Sequence, residues 1–347
     1  MNKKKILIMA GGTGGHIFPA LVIADELSKI GWEILWLGTQ SRMESSIVPK
    51  YGYNIQFINV DGIKGNGFKK LIQAPFMILR STFQARKIIR QFKPDIALGM
   101  GGFVTGPGGV AAKTLNIPLV IHESNAVAGI TNKLLAKISN VILQAFPGTI
   151  KNAVNVGNPI RAEIINADFS IDIDEDKDRP LNILVMGGSQ GARVMNERVS
   201  KTLDQLQEFN ILHQSGKNQS ESTKKNYINQ KANVVDFIDD VSQAYKWADL
   251  AICRSGALTV SELAVSGLPA IFVPYKHGDN QQKLNAKYLV ENKVSYLIEE
   301  DSFLEDNIKS TISSLTREKL LSMSQKAKQL GQIDSTKKII KILREVK

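Results

Sequence analysis

KILIMAGGTGGHIFPA, residues 5–20, decides how this chain folds. Ile6, Leu7, Ile8 and Met9 are apolar at every position, as a parallel strand covered on both faces requires. The run breaks into Gly11, Gly12, Thr13, Gly14 and Gly15, a loop with almost no side chains, and His16 follows it. An apolar-periodic helix is expected from about Pro19 to Ile30. Strand, glycine loop and helix in this order open a doubly wound α/β domain, whose ligands gather at the carboxyl ends of the strands. The same order returns at LNILVMGGSQGA, residues 181–192, so a second domain of the same kind is expected there.

Working outward, further strand-like runs stand at 33–37, 55–60, 96–98, 119–122 and 141–143, and after the second opening at 211–214, 234–237, 250–253 and 270–273. Their alternation with helical segments implies parallel sheets. The pattern pauses at Val156-Gly157-Asn158-Pro159, and residues 168–178 are polar and acidic. The expected division is a first domain at 1–160, a linker at 161–180, a second domain at 181–325 and a C-terminal helix at 326–347 folding back on the first domain. A chain of 347 residues is long enough for this.

The single cysteine, Cys253, excludes a disulfide framework and suits a reducing cytoplasm. After Lys3, Lys4 and Lys5 the apolar run is too short for a signal peptide, so no export is expected, nor any membrane-spanning segment. Residues 1–160 hold 18 basic and 7 acidic residues, against 26 and 26 in the remainder, so the whole excess of +11 lies in the first half. A polyanionic partner should meet that half.

The first loop is not a dinucleotide fingerprint. Gly12-x-Gly14 finds Ile17 where a third glycine is required, and no acidic residue ends the second strand. His16, directly after a strand's carboxyl end, stands where an acid/base group is placed. A second glycine-rich loop, Gly101 to Gly109, includes Gly102 and Phe103 and has more glycines than a plain turn needs. His122, Glu123, Ser124 and Asn125 then end a strand with polar groups suited to sugar hydroxyls, facing an interdomain cleft.

In the second half, CRSGALTVSELAVSGLPAIFVPYKHGDNQQKLNA, residues 253–286, places a helix start after a short strand. The free N–H groups there favour a phosphate above Ala257 to Thr259. The plainer alternative is a turn in which Thr259 and Glu262 cap each other. Gly187-Gly188-Ser189-Gln190-Gly191 matches the nucleophile elbow of hydrolases, with Asp249 and His277 as nominal partners. That reading leaves the first domain without a role, and Ser189 is preferred as a phosphate ligand. Asp172-Ile173-Asp174 resembles a metal motif but sits in a solvated acidic segment. The histidines His16, His122, His213 and His277 are scattered, so no tightly bound metal is expected.

Residues 62–94 carry Lys64, Lys69, Lys70, Arg80, Arg86, Lys87, Arg90 and Lys93 without an acid, beside Phe76 and other large apolar residues. Such a stretch can lie on an anionic membrane surface; an amphipathic crossover helix with a solvated basic face is the plainer reading. Nucleic acid is not expected, because no recognition motif accompanies the charge.

GGTGGHIFPA (11–20), GGFVTGPGG (101–109), HESNAVAG (122–129), GNPIR (157–161), GGSQGA (187–192) and CRSGALTVSEL followed by DNQQ and NA resemble, in order, the bacterial MurG-type family of UDP-N-acetylglucosamine transferases. The resemblance implies a GT-B fold, two Rossmann-like doubly wound parallel-sheet domains facing across a cleft. It implies inverting transfer of N-acetylglucosamine to the C4 hydroxyl of undecaprenyl-linked lipid I, giving lipid II for peptidoglycan, cell shape and division. It further implies a peripheral location on the cytoplasmic face of the inner membrane, among cell-wall synthesis proteins. The donor contacts it implies are Thr13, Gly14, Gly15, Asn125, Arg161, Ser189, Ile238, Ala257, Leu258, Thr259, Val260, Ser261, Glu262, Gln281 and Gln282, with Glu262 turned outward to the ribose. His16 is the candidate base, and Gly102, Phe103, His122 and Glu123 are acceptor-side candidates. Ser124 stands where the family motif has glutamine.

Overall fold

The computed structural model describes residues 3–61, 67–169, 179–188, 190–276 and 278–346, with backbone alone over 67–73. The chain divides into a first unit, Met1–Arg161 with Asp334–Lys347, and a second, Ala162–Ile333.

The first unit is built on seven parallel strands. They are β1 Lys5–Ala10, β2 Glu33–Gly38, β3 Asn54–Phe57, β4 Ile96–Gly101, β5 Leu119–Glu123, β6 Val141–Gln144 and β7 Val154–Asn155, in spatial order 3-2-1-4-5-6-7. β1 lies between β2 and β4, and both of its faces are covered. On one face Ile6 and Ile8 join Leu21, Ile23 and Trp36. On the other Leu7 and Met9 join Leu37, Ile121 and the Ala85 and Ile89 side chains of the Gly67–Phe92 helix. Covering on both sides is why the strand shows no polar alternation.

The Ser335–Glu345 helix belongs to the first unit, with Ile339 and Leu343 buried in the Ile6 core. The preceding Arg317–Leu330 helix does not, because Leu320 and Met323 pack into the core of the second unit. The return therefore begins at 334 rather than at 326. Nor is 161–180 a uniform linker: Ala162–Ile165 is a helical turn of the second unit, with Ile164 buried and the Glu163 carbonyl accepting from Ser242 Oγ at 3.0 Å. Asp172 and Asp174 lie outside the described residues.

Six parallel strands build the second unit: β8 Leu181–Met186, β9 Phe209–Gln214, β10 Lys231–Val235, β11 Leu250–Cys253, β12 Ala270–Phe272 and β13 Ser295–Leu297, in the order β10-β9-β8-β11-β12-β13. β10 begins at Lys231, earlier than expected, since a half-exposed outer strand lacks the continuous apolar run that marks the inner ones. In each unit the strand order reverses beside the opening strand, between β1 and β4 and between β8 and β11. Those reversals are where a doubly wound sheet leaves room for a ligand.

Candidate functional site

At the first reversal β1 runs into the Gly14–Lys29 helix. Thr13 is its extended N-cap, makes no side-chain cap bond, and is followed by no acidic residue in the first turn. The first N–H groups of such a helix lack intrahelical partners and carry its positive end. His16 sits in this turn, half-buried. Its Nδ1–H donates to the Gly11 carbonyl at 3.2 Å, which leaves the lone pair on Nε2. Burial lowers its pKa, against the opposing effects of the Gly11 bond, Glu123 and Glu44. The ring is therefore neutral at pH 7 and competent as a base.

The two glycine-rich loops of this unit meet backbone to backbone. A Cβ at Gly101 would stand 2.6 Å from His16 Cδ2, and one at Gly102, whose φ is +87°, would collide with the Gly11 carbonyl. Only glycine lets β4 end so close to the histidine. Phe103, next in the loop, is exposed. Glu44, which the sequence did not single out, is fully buried here and binds the first loop through the Gly12 N–H at 2.9 Å.

His122 and Glu123, expected on the acceptor side, are both buried. His122 Nε2–H donates to the Gly157 carbonyl at 2.9 Å, and burial lowers its pKa. The Glu123 carboxylate accepts from the N–H groups of Asn125 at 3.0 Å and Gly129 at 3.1 Å and from Asn132 Nδ2 at 2.8 Å. Both residues shape the loop that presents the half-exposed Asn125. Asn158 fastens the same loop, donating to the Ser124 carbonyl at 3.1 Å.

At the second reversal β11 feeds the Ala257–Ser266 helix. Gly256 is its extended N-cap, without a side-chain cap bond and with no acid in the first turn. The capping alternative for Thr259 and Glu262 therefore fails: the helix has already begun, and Thr259 lies inside it. Glu262 does not turn outward either. It is 3% exposed, and its Oε2 accepts from Tyr245 OH at 3.0 Å. Ala257 and Val260 are buried, so of this run Leu258, Thr259 and Ser261 are the half-exposed side chains.

Gln214, at the end of β9, ties the neighbouring loops together. Its Nε2 donates to the Gly188 carbonyl at 2.9 Å and its Oε1 accepts from the N–H of the buried Ile238 at 3.4 Å. Gln281 and Gln282 open the Gln281–Glu291 helix, where Gln282 Oε1 accepts from the Tyr275 N–H at 2.9 Å. Arg161 closes the first unit's main segment. Ser189 and His277 lie outside the described residues.

Two family models match the chain: the glycosyltransferase family 28 N-terminal domain over residues 6–144 and the corresponding C-terminal domain over 182–342. The chain belongs to glycosyltransferase family 28. It is 48% identical over 353 residues to a Histophilus somni (strain 129Pt) protein, covering 99% of this chain and 98% of that one. That relative is named UDP-N-acetylglucosamine--N-acetylmuramyl-(pentapeptide) pyrophosphoryl-undecaprenol N-acetylglucosamine transferase. A Vibrio atlanticus (strain LGP32) protein of the same name is 48% identical, with 96% of each chain covered. The crystal structure of Acinetobacter baumannii MurG superposes with a TM-score of 0.87 at 39% identity, covering 99% of this chain and 100% of that one. The two parallel-sheet units are the GT-B architecture of this MurG-type family.

The hydrolase alternative has no support in a family 28 chain. Asp249 is 8% exposed, at the amino end of β11, away from the glycine loop after β8. Arg179 grips it with Nη1 at 2.6 Å and Nη2 at 2.8 Å, and the Asn182 N–H reaches it at 2.8 Å. It is a structural ion pair, not a triad acid. Cys253 is equally inert, its thiol pKa pushed up to about 12 by burial.

On the Gly67–Phe92 helix of this transferase, Ser81, Ala85 and Ile89 face inward. Phe76 at 74% and Phe83 at 61% exposure face solvent with Leu79, beside the exposed Arg80, Lys87 and Arg90. Arg86 leaves this basic set: its Nη1 is bound to the Thr114 hydroxyl and carbonyl. Lys64 and the side chains of Lys69 and Lys70 lie outside the described residues. Among the described residues, no helix is long and apolar enough to cross a membrane.

Proposed function

We propose that this chain transfers N-acetylglucosamine from UDP-N-acetylglucosamine to the C4 hydroxyl of the N-acetylmuramyl group of a pyrophosphoryl-undecaprenol acceptor, with inversion. The observation that carries this reading is identity of 46–48% along nearly the whole chain to proteins named for that transfer. In the reaction the His16 Nε2 lone pair accepts the hydroxyl proton. The hydroxyl oxygen then bonds to the anomeric carbon, and UDP leaves with the bonding pair.

The charge on the departing diphosphate is met by the uncapped N–H groups at the start of the Ala257–Ser266 helix. Glu262, buried and bound by Tyr245, supports this helix start from within the unit, and Ser189 is assigned to the phosphates. Gln281 is assigned to the sugar, whereas Gln282 holds the preceding loop. Fixed dipoles of this kind need no metal, and we expect EDTA-treated enzyme to keep its turnover.

The exposed Phe76, Leu79 and Phe83 with Arg80, Lys87 and Arg90 form the surface that meets the cytoplasmic leaflet, where each basic residue contributes roughly 1 kcal/mol. A short-chain, water-soluble acceptor separates chemistry from membrane delivery. The purified chain should release UDP from UDP-N-acetylglucosamine only when that acceptor is added, and UDP should raise its Tm more than other nucleoside diphosphates do. Acceptor-independent release, or no preference for UDP, would refute the assignment.

A further inference from the structure

Glu44 is a carboxylate with no solvent exposure in a unit that has few acidic residues, and every donor on it comes from a loop end. Oε1 accepts from the Thr39 N–H at 2.9 Å and the Thr39 hydroxyl at 2.7 Å, and Oε2 accepts from the Gly12 N–H at 2.9 Å. It lies in a slot left open by two glycines. A Cβ on Gly11 would stand 2.5 Å from Oε1, and one on Gly38 2.8 Å from Glu44 Cγ. Those glycines end or follow β1 and β2, so the carboxylate bolts the two strand ends together.

Dinucleotide-binding versions of this sheet place an acidic residue at the end of the second strand to take a ribose. Here that strand end is Thr39, and it donates to an internal carboxylate instead. The carboxylate holds Gly12, and the carbonyl of the adjacent Gly11 takes the His16 Nδ1 proton at 3.2 Å. The chain of contacts therefore runs from Thr39 through Glu44 and the Gly11–Gly12 peptide to the tautomer of His16. A charged hydrogen bond to a backbone N–H is stronger than a neutral one, which suits a group that must hold a loop of glycines still.

We propose that Glu44 is a positioning residue for the transfer: it fixes the Gly11–Gly12 peptide so that His16 presents Nε2 to the acceptor hydroxyl. The inference rests on His16 being the base. The charged and titratable groups bearing on the His16 ring are Glu44, Glu123 and His122.

The test uses the full chain. Glu44→Gln keeps the size but turns its amide NH₂ toward either the Gly12 N–H or the Thr39 N–H, each of which can only donate, so at least one of the three bonds is lost. Its kcat should fall tenfold to a hundredfold while the Kd for UDP stays within twofold. The acid limb of its kcat–pH profile should move to lower pH, because removing the Glu44 charge withdraws an influence that raises the His16 pKa. Glu44→Asp keeps the charge and should leave that limb in place.

The double variant distinguishes this inference from the base assignment. In a His16→Ala background, Glu44→Gln should change kcat by less than twofold. An equal fall in both backgrounds, or a kcat for Glu44→Gln within threefold of the parent, overturns the role of Glu44 and leaves His16 standing. A His16→Ala kcat within threefold of the parent overturns the base assignment, and this inference with it. Where Glu44→Gln fails to fold, Thr39→Val, which deletes only the hydroxyl donor, takes its place. It should lower kcat threefold to tenfold in the parent and have no effect in His16→Ala, and equal effects in both would again overturn the proposal.

Discussion

The reversal between β1 and β4 and the reversal between β8 and β11 begin alike, each with a glycine-rich loop and an uncapped helix start, and they diverge in what fills the space behind the loop. In the first unit an internal carboxylate, Glu44, binds the loop amide at Gly12, the β4 loop closes on Gly11, and a neutral histidine is left at the rim. In the second, Gln214 braces the loops through a carbonyl and an N–H, and Glu262, inside the helix that follows β11, is held by the Tyr245 hydroxyl. On the proposed reading, one backbone plan serves proton transfer at one reversal and anion binding at the other. The difference lies in whether a buried charge occupies the loop or a helix end is left to receive one.

The sharpest way to break this comparison is to remove the histidine. His16→Ala should lower kcat by about a hundredfold or more with a soluble acceptor, the usual scale for losing a general base. UDP binding by calorimetry should stay within twofold, and a matching loss of UDP affinity would mean that the two reversals do not divide the work. Next in size, Glu262→Gln should weaken UDP about tenfold, or ~1.4 kcal/mol, by spoiling a charged hydrogen bond. Its kcat at saturating donor should change less than threefold, and Tyr245→Phe should show a weaker version of the same pattern.

Gly102→Ala tests the closed loop itself. A Cβ at φ +87° pressed on the Gly11 carbonyl should cost about 1–3 kcal/mol in urea unfolding of the first unit. Equal destabilisation of the second unit's transition would contradict their separateness. The mildest effect is that of pH. His122 and His213 are fully buried and their pKa values are lowered, that of His213 to about 3. Below pH 6.5 the unfolded chain binds protons that the native state refuses, so stability is complete above that pH and is lost as pH falls toward the native values. The slope is at most about 1.4 kcal/mol per pH unit for each histidine. Urea midpoints at pH 5.5 should therefore lie below those at 7.5 in both units, and equal midpoints would show that neither ring is held neutral by burial.

Much of this was legible from residues alone. The runs at 6–9 and 183–186 are apolar at every position because inner parallel strands are covered twice, and that pattern survives in the sequence whatever surrounds it. The glycine loops were equally plain. β7 and β13, with two and three residues, carried too little pattern to read, and β10, half-exposed, was misplaced. The first-turn spacing of Thr259 and Glu262 looked like a cap because spacing does not tell where a helix begins. In the structure it begins at Ala257.

The sequence by itself determined two doubly wound units, the place of each loop at a strand's carboxyl end, and the histidine at the first of them, since these follow from local periodicity and from the missing Cβ of glycine. The tertiary structure decided that Glu44 holds the first loop, that Glu262 turns to Tyr245, that His122 and Glu123 serve as internal supports, and that the chain returns to its first unit only from residue 334. Those outcomes depend on which buried donor meets which buried acceptor across residues far apart in the chain. A buried carboxylate must find partners in the folded molecule, and nothing in its sequence neighbourhood names them.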